Sequence, residues 1–137
     1  MTEKHIHWEL SGTIIAAARA TYDEVDLSKN KEAFVNLLAR KLQAGTGQRP
    51  RKGYNVNVGP KGKGRRVGTI DLLVAGTIAV WVLRKKAPSE YDIAQFRRVI
   101  RAAALDLGLV IMFQPWGITS RRVYPALQRD RGDEPCA

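Results

Sequence analysis

The stretch from Gly68 to Lys86, GTIDLLVAGTIAVWVLRKK, decides the fold of this chain. Two apolar runs lie on either side of Ala75-Gly76, so the stretch predicts two strands joined by a tight turn. Asp71 stands alone among the isoleucine, leucine and valine of the first strand. Burying a carboxylate is unfavourable unless it is paired, hydrogen-bonded or bound to a metal, which makes Asp71 the first candidate functional residue.

The composition indicates one globular domain. The chain has 137 residues, of which 45% are hydrophobic and 26% charged, values that are ordinary for a folded protein. We expect a single domain over residues 1–128, with its core in residues 31–113 and a flexible tail at residues 129–137. No signal peptide or membrane-spanning run stands out, so a cytoplasmic location without membrane contact is expected.

The charge balance favours a polyanionic partner. Lysine and arginine number 23 against 13 aspartate and glutamate, which gives a net charge of +10 and a pI near 10.2. Such an excess of cations is typical of proteins that bind nucleic acid. A solvated surface that serves solubility alone is the alternative.

Classical metal ligands are sparse. The single cysteine, Cys136, excludes an internal disulfide framework and a cysteine-based zinc site. His5 and His7 have no further ligands near them in the sequence, so a metal role for this pair is not expected.

Two helices are predicted in the first third of the chain. One begins at Ser11, which has the side chain of an N-cap. The other runs from Lys31 to Gln43, where apolar residues recur at helical spacing, and Gly45 and Gly47 are predicted to end it.

A basic segment precedes the central stretch. Residues 54–58 alternate like a half-exposed strand. The following residues, Gly59 to Arg66, combine glycines, a proline and four cations, so they predict a mobile loop between two strands. Its cations are Lys61, Lys63, Arg65 and Arg66.

A third helix follows the central stretch. Ser89 and Asp92 have the spacing of a capping box, and the apolar stripe predicts a helix that continues to about Leu107 and stops at Gly108.

The remaining segments complete a mixed sheet. Residues 109–113 form an apolar run that suits a strand covered on both faces, and residues 120–124 predict an edge strand. The expected fold is α/β (α+β), with a three-strand meander, a β-α-β crossover joining two parallel strands, and flanking helices.

This order of elements resembles the PD-(D/E)XK, or restriction-endonuclease-like, nuclease superfamily. The resemblance covers Lys31 to Phe113: a helix with an early Glu32, a meander carrying Asp71, a second strand that ends in cations, and a helix bearing Gln95 before the strand LVIMF. In that family the aspartate and the glutamate of an E-x-K signature bind Mg²⁺, and the lysine assists the attacking water.

The resemblance implies that the catalytic set is incomplete here. With Asp71 aligned to the family aspartate, the E-x-K positions fall on Trp81 and Leu83, which supply neither a carboxylate nor an amine. We therefore expect these two side chains to form a dry apolar wall beside Asp71, and Asp71 to bond to backbone or to a nearby cation. No cofactor is expected.

The leading hypothesis is a catalytically degenerate nuclease-like protein that binds nucleic acid, DNA ahead of RNA, without sequence specificity. Its contacts would be to phosphate. The candidate contact residues are Arg49, Arg51, Lys52, Lys61, Lys63, Arg65, Arg66, Arg84, Lys85 and Lys86.

Two other functions stay open. An active nuclease dependent on Mg²⁺ or Mn²⁺ could use Asp71, Glu32 and Lys85 in an altered arrangement. A protein-interaction or inhibitor module, within a complex or as a homodimer, could use Trp81 or Trp116 as an anchor. Burial of Trp81 would argue against its role as an anchor.

Overall fold

The structure is a computed structural model, and it describes residues 7–24, 31–58, 64–84, 87–115 and 117–125. Three helices and five strands lie in these segments. In chain order they are α1 (Trp8–Glu24), α2 (Lys31–Thr46), β1 (Arg51–Val58), β2 (Arg65–Val74), β3 (Ile78–Leu83), α3 (Glu90–Ala102), β4 (Leu107–Gln114) and β5 (Gly117–Val123).

The strands form one mixed sheet in the order β1-β2-β3-β4-β5. The three-strand meander is confirmed, because β2 pairs antiparallel with both β1 and β3. The β-α-β unit is also confirmed, since β3 and β4 are parallel and α3 connects them. β5 lies at the predicted edge, antiparallel to β4, and begins at Gly117.

Each face of the sheet is covered by helices and has its own apolar cluster. Alternate residues of β3 and β4 pack against α1 and α2, where the rings of Phe34 and Phe113 stack with centroids 4.5 Å apart. The other residues of these strands pack against α3, where Trp81 stacks on Phe96 at 4.4 Å. Burial on both faces explains why β3 and β4 read as continuous apolar runs.

The predicted helix starts are right for α2 and α3 and wrong for α1. The capping box of α3 is present, because the Ser89 hydroxyl accepts the Asp92 N–H and the Asp92 carboxylate accepts the Ser89 N–H. Ser11 does not cap α1, which begins at Trp8. The Ser11 side chain is buried inside the helix and donates to the Trp8 carbonyl.

The predicted end of α3 is wrong. The helix stops at Ala102, Ala104 has a φ of 58°, and Leu107 already belongs to β4. Gly108 is therefore a strand residue. A Cβ at this position would lie 2.6 Å from Ile100 Cδ1, so glycine lets α3 approach the sheet closely.

The helix α2 also extends beyond its predicted end. Gly45 lies within α2, which continues to Thr46, and Gly47 follows with a φ of 79° in the left-handed region. A left-handed residue after the last turn is a common helix terminator, and glycine adopts that conformation without steric cost.

Two strand boundaries differ from prediction at the basic segment. β1 begins at Arg51 rather than Tyr54, and β2 begins at Arg65, so Arg65 and Arg66 lie in a strand and not in a mobile loop. Residues 59–63, with Lys61 and Lys63, lie outside the described residues, as do residues 85–86, His5, Trp116 and the predicted tail.

No helix in the described ranges has the length and apolar character needed to cross a membrane.

Candidate nucleic-acid interface

Asp71 lies where the pairing between β2 and β3 ends. The backbone ladder stops at the Leu72–Val80 pair, and the Asp71 carboxylate, in place of a backbone carbonyl, accepts the N–H of Val82 at 2.9 Å. The same oxygen, Oδ2, lies 2.9 Å from Nζ of Lys31 in α2. The expectation that Asp71 bonds to backbone or to a cation is confirmed on both counts.

The side-chain alternation of the meander breaks at Asp71. Ile70 and Leu72, two residues apart, belong to opposite apolar clusters, which a regular strand does not allow. On β1, Gly53 lies between the registered pairs Lys52–Leu72 and Tyr54–Ile70, and its φ is 61°. We call this irregularity, in which β2 loses its alternation beside a left-handed residue of β1, the bend.

The prediction that Trp81 and Leu83 form an apolar wall beside Asp71 is wrong. Trp81 and Leu83 pack in the α3 cluster, and the Trp81 indole donates to the Thr69 carbonyl of β2. The β3 residues in the α1 and α2 cluster are Ile78 and the two valines Val80 and Val82. They share a face with Asp71 because the alternation of β2 breaks at Asp71. These valines also lack a carboxylate and an amine, so the conclusion that the E-x-K groups are missing still holds.

An open cleft of about 430 Å³ lies beside Asp71, and most of the residues that line it are polar. Its charged residues are Asp71, Glu32, Lys31 and Lys52, and the Lys52 ammonium donates to the amide oxygen of Asn36. Sequence reasoning predicted that Asp71 and Glu32 could act together, and the fold does bring them into one cleft.

The cleft does not fit a magnesium or manganese ion. These hard cations need several oxygen ligands, whereas the cleft offers two carboxylates together with two lysines. Across the described residues, no three His, Cys, Asp or Glu side chains come close enough to hold a metal. The Asp71 carboxylate already pairs with Lys31.

Gln95 lies on the other side of the sheet. Its amide nitrogen donates to the Val67 carbonyl of β2 at 2.8 Å, and its amide oxygen accepts from Arg98. Gln95 therefore joins α3 to β2 and does not line the cleft beside Asp71.

Trp81 is only 4% exposed and cannot anchor a partner protein. His7 lies with its Nε2 atom 3.5 Å from Asp106, a contact between the start of α1 and the turn before β4.

The β1–β2 hairpin extends past the rest of the sheet. Residues 54–58 of β1 and residues 65–70 of β2 pair with each other but not with β3, and we call this two-stranded segment the arm. Val56 and Ile70 of the arm are buried in the α3 cluster. The arm is thus supported on one side by α3 and open on the other.

The arm and its surroundings carry a dense positive charge. No aspartate or glutamate occurs between Glu32 and Asp71, a segment that contains nine lysines and arginines. Arg65 and Arg66 are exposed on the arm, and Arg51, beside it, lies with its guanidinium 4.9 Å from the Tyr54 ring centroid. The ion pairs Lys31–Asp71 and Lys41–Glu24 do not involve Arg65 or Arg66 of the arm.

The other predicted contact residues have different positions. Arg49 is exposed just before β1, and Arg84 is exposed at the end of β3. Lys61, Lys63, Lys85 and Lys86 lie outside the described residues.

Sequence reasoning missed three polar residues of the arm. Asn55, Asn57 and Thr69 are exposed, and the Thr69 hydroxyl lies 2.9 Å from the amide oxygen of Asn55. The alternation of residues 54–58 contained the signal, because it already placed the two asparagines on one face.

Comparison with known proteins gives a likeness of fold alone. No family model matches the chain, and no curated protein does. A solved structure described as "Crystal structure of SSO0001" is similar, with a TM-score of 0.54 and 12% sequence identity over 72% of this chain. The match covers 52% of that chain, so the present chain corresponds to about half of it. This likeness supports the mixed α/β architecture.

Proposed function

We propose that this chain is a noncatalytic protein of nuclease-like fold that binds nucleic acid, DNA in the first place, through its basic arm. The observation that carries the proposal is the two-stranded arm with exposed Arg65 and Arg66, in residues 33–70, which contain no aspartate or glutamate. Unpaired cations on a supported scaffold attract phosphate and release its counterions.

Contacts between these cations and phosphate supply affinity and no sequence information. Arginine and lysine contacts to phosphate fix the position of a protein on nucleic acid, whereas base contacts specify the sequence. The contribution of Lys61 and Lys63, between the two strands of the arm, belongs to the same proposal. The nucleic acid would therefore lie along the β1 side of the sheet.

The test compares two double variants that remove the same charge. Arg65→Ala/Arg66→Ala removes the exposed arginines of the arm, and Arg19→Ala/Arg121→Ala removes exposed arginines from α1 and from β5 at the opposite edge of the sheet. Fluorescence anisotropy with a labelled 20-base-pair duplex, a length of roughly two helical turns, gives the affinities. We expect the arm variant to bind at least about tenfold more weakly, the cost of one charged hydrogen bond.

The control variant should bind within about twofold of the unmodified protein, since a remote surface charge acts weakly across salt solution. Absence of binding by the unmodified protein at low salt, or equal weakening in the two variants, would contradict the proposal.

A metal-dependent nuclease is the second candidate, favoured by one observation: Asp71 and Glu32 line the same cleft. Incubation of the protein with plasmid and linear DNA, with Mg²⁺ or Mn²⁺, tests it against an Asp71→Ala variant. We expect no cleavage by either protein. Cleavage by the unmodified protein that disappears in the variant would establish the enzyme and overturn the noncatalytic proposal.

A further inference from the structure

The arm has two unlike faces. Val56 and Ile70 point into the α3 cluster, and a Cβ on Gly68 would lie 2.7 Å from Val99 Cγ2, so α3 lies directly behind the arm. The opposite face is open to solvent and polar. It consists of Asn55, Asn57, Arg66 and Thr69, and we call it the polar face.

The strand register places these four side chains as two facing pairs. Asn55 is the partner of Thr69, and Asn57 is the partner of Arg66. The register shifts between these pairs because Val67 is an extra residue on β2, and this bulge lets Arg66 share a face with Asn57. The polar face therefore presents two amides, a hydroxyl and a guanidinium in two adjacent rows.

The composition of the polar face differs from that of a surface that only attracts phosphate. Asparagine can bond in a bidentate manner to the major-groove edge of adenine, and arginine can do the same to guanine. The contact between Thr69 and Asn55 orients the Asn55 amide, leaving its NH₂ group and one oxygen lone pair for a ligand.

The shape of the arm selects the nucleic acid. Two strands lie about 4.8 Å apart, and a two-stranded ribbon enters the major groove of B-form DNA, which is about 12 Å wide. The deep and narrow major groove of double-stranded RNA does not admit such a ribbon. The positive charge around the arm matches the phosphates on both sides of the groove.

We propose that the polar face of the arm lies in the major groove of B-form DNA and reads base edges through Asn55, Asn57 and Arg66. This inference rests on the proposed function, and it adds a sequence preference that the phosphate contacts alone would not give. Thr69 is a positioning residue that acts through Asn55.

Selection from a pool of random-sequence duplex DNA, followed by sequencing, tests the inference. We expect a short enriched motif, and the selected duplex should bind about tenfold or more tightly than a scrambled duplex of equal length. Asn55→Ala/Asn57→Ala should abolish this difference and keep the affinity for the scrambled duplex. The control Thr119→Ala/Ser120→Ala changes two exposed polar residues of β5 and should preserve the difference.

A change in the DNA tests the same interaction without altering the protein. Replacing the adenines and guanines of the selected motif by their 7-deaza forms removes the N7 acceptors from the major groove. We expect binding to weaken about tenfold for each bidentate hydrogen-bonded pair that the replacement breaks. Unchanged affinity would overturn the inference.

The outcomes separate this inference from the proposed function. Failure to bind any nucleic acid would overturn both. Binding to all duplexes without an enriched motif, or a preference for single strands or RNA, would overturn only the reading of the major groove.

Discussion

Asp71 shows how one residue can look catalytic in a sequence and act structurally in the fold. Its carboxylate accepts the Val82 N–H and pairs with Lys31, which connects β2, β3 and α2 at the point where the β2–β3 ladder ends. Both interactions satisfy a side chain that is only 19% exposed. A metal ion at this residue would need several oxygen ligands, and the cleft adds one further carboxylate, Glu32, together with Lys31 and Lys52.

Substitution of Asp71 separates its bonding role from its charge. Asp71→Ala leaves the Val82 N–H without its acceptor and should lower the free energy of unfolding by about 1–3 kcal/mol. Asp71→Asn keeps an oxygen acceptor for the Val82 N–H and should lower the free energy of unfolding by less. Urea denaturation measures both values. A neutral effect of Asp71→Ala would show that the carboxylate does not hold the strands together.

Lys31 provides the matched comparison at this site. Its side chain is 44% exposed, so its pair with Asp71 is largely screened by solvent. Lys31→Met should lower the free energy of unfolding by no more than about 1 kcal/mol. A larger decrease than that of Asp71→Ala would mean that the ion pair, and not the hydrogen bond to Val82, stabilises the bend.

At the scale of elements, the position of the arm depends on α3. The helix contacts β2 through Gln95 and Val99 and contacts β4 through Ile100, and glycines at positions 68 and 108 allow these close approaches. Sequence periodicity identified the helix but not these glycine contacts. Gly108 reads as a helix stop until the sheet is known, because glycine serves both purposes.

Two glycine substitutions should change stability in opposite directions. An alanine Cβ at Gly108 would meet Ile100 Cδ1 at 2.6 Å and Trp81 Cζ3 at 2.9 Å, so Gly108→Ala should destabilise the protein by about 1–3 kcal/mol. Gly12 lies in α1 with nothing within 4 Å of the added carbon, and Gly12→Ala should stabilise it by up to about 1 kcal/mol. Chemical denaturation of both variants checks the contrast. Equal effects would show that the close approach of α3 is not as described.

Gln95 should control the mobility of the arm. Gln95→Ala removes the bond to the Val67 carbonyl and should accelerate hydrogen exchange in residues 54–58 and 65–70 by about five- to tenfold, the equivalent of roughly 1 kcal/mol. Gln43→Ala, at an exposed position of α2, is the control and should leave exchange in the arm unchanged. Unaltered arm exchange in Gln95→Ala would argue that the helix does not support the arm.

Across the whole molecule, the sequence predicted the architecture better than the site. Alternation and continuous apolar runs identified the meander and the buried strand because both follow from the burial of strand faces. The face of the sheet on which the Asp71 side chain lies could not be predicted. It depends on a bend shared by Gly53 and Asp71 on two strands, and a strict alternation placed Trp81 beside the carboxylate.

The sequence identified the basic residues, but it did not predict how the fold arranges them on a surface. A run of glycine, proline and lysine indicated a loop, whereas pairing with β1 extends the strand back to Arg65. This tertiary pairing places Arg66 beside Asn57 on a supported ribbon. Local composition contains no information on that neighbour, so the polar face was missed.

The dependence of DNA affinity on salt tests the central claim, that the arm binds phosphate, most directly. The slope of log K against log salt concentration should become less steep by about 0.9 for each phosphate that is no longer neutralised. In Arg65→Ala/Arg66→Ala the change should be about 0.9 where Arg66 contacts a base edge and about 1.8 where Arg66 contacts phosphate as well. In Arg19→Ala/Arg121→Ala the slope should stay that of the unmodified protein. Equal slopes in all three proteins would contradict the claim that the arm holds the nucleic acid.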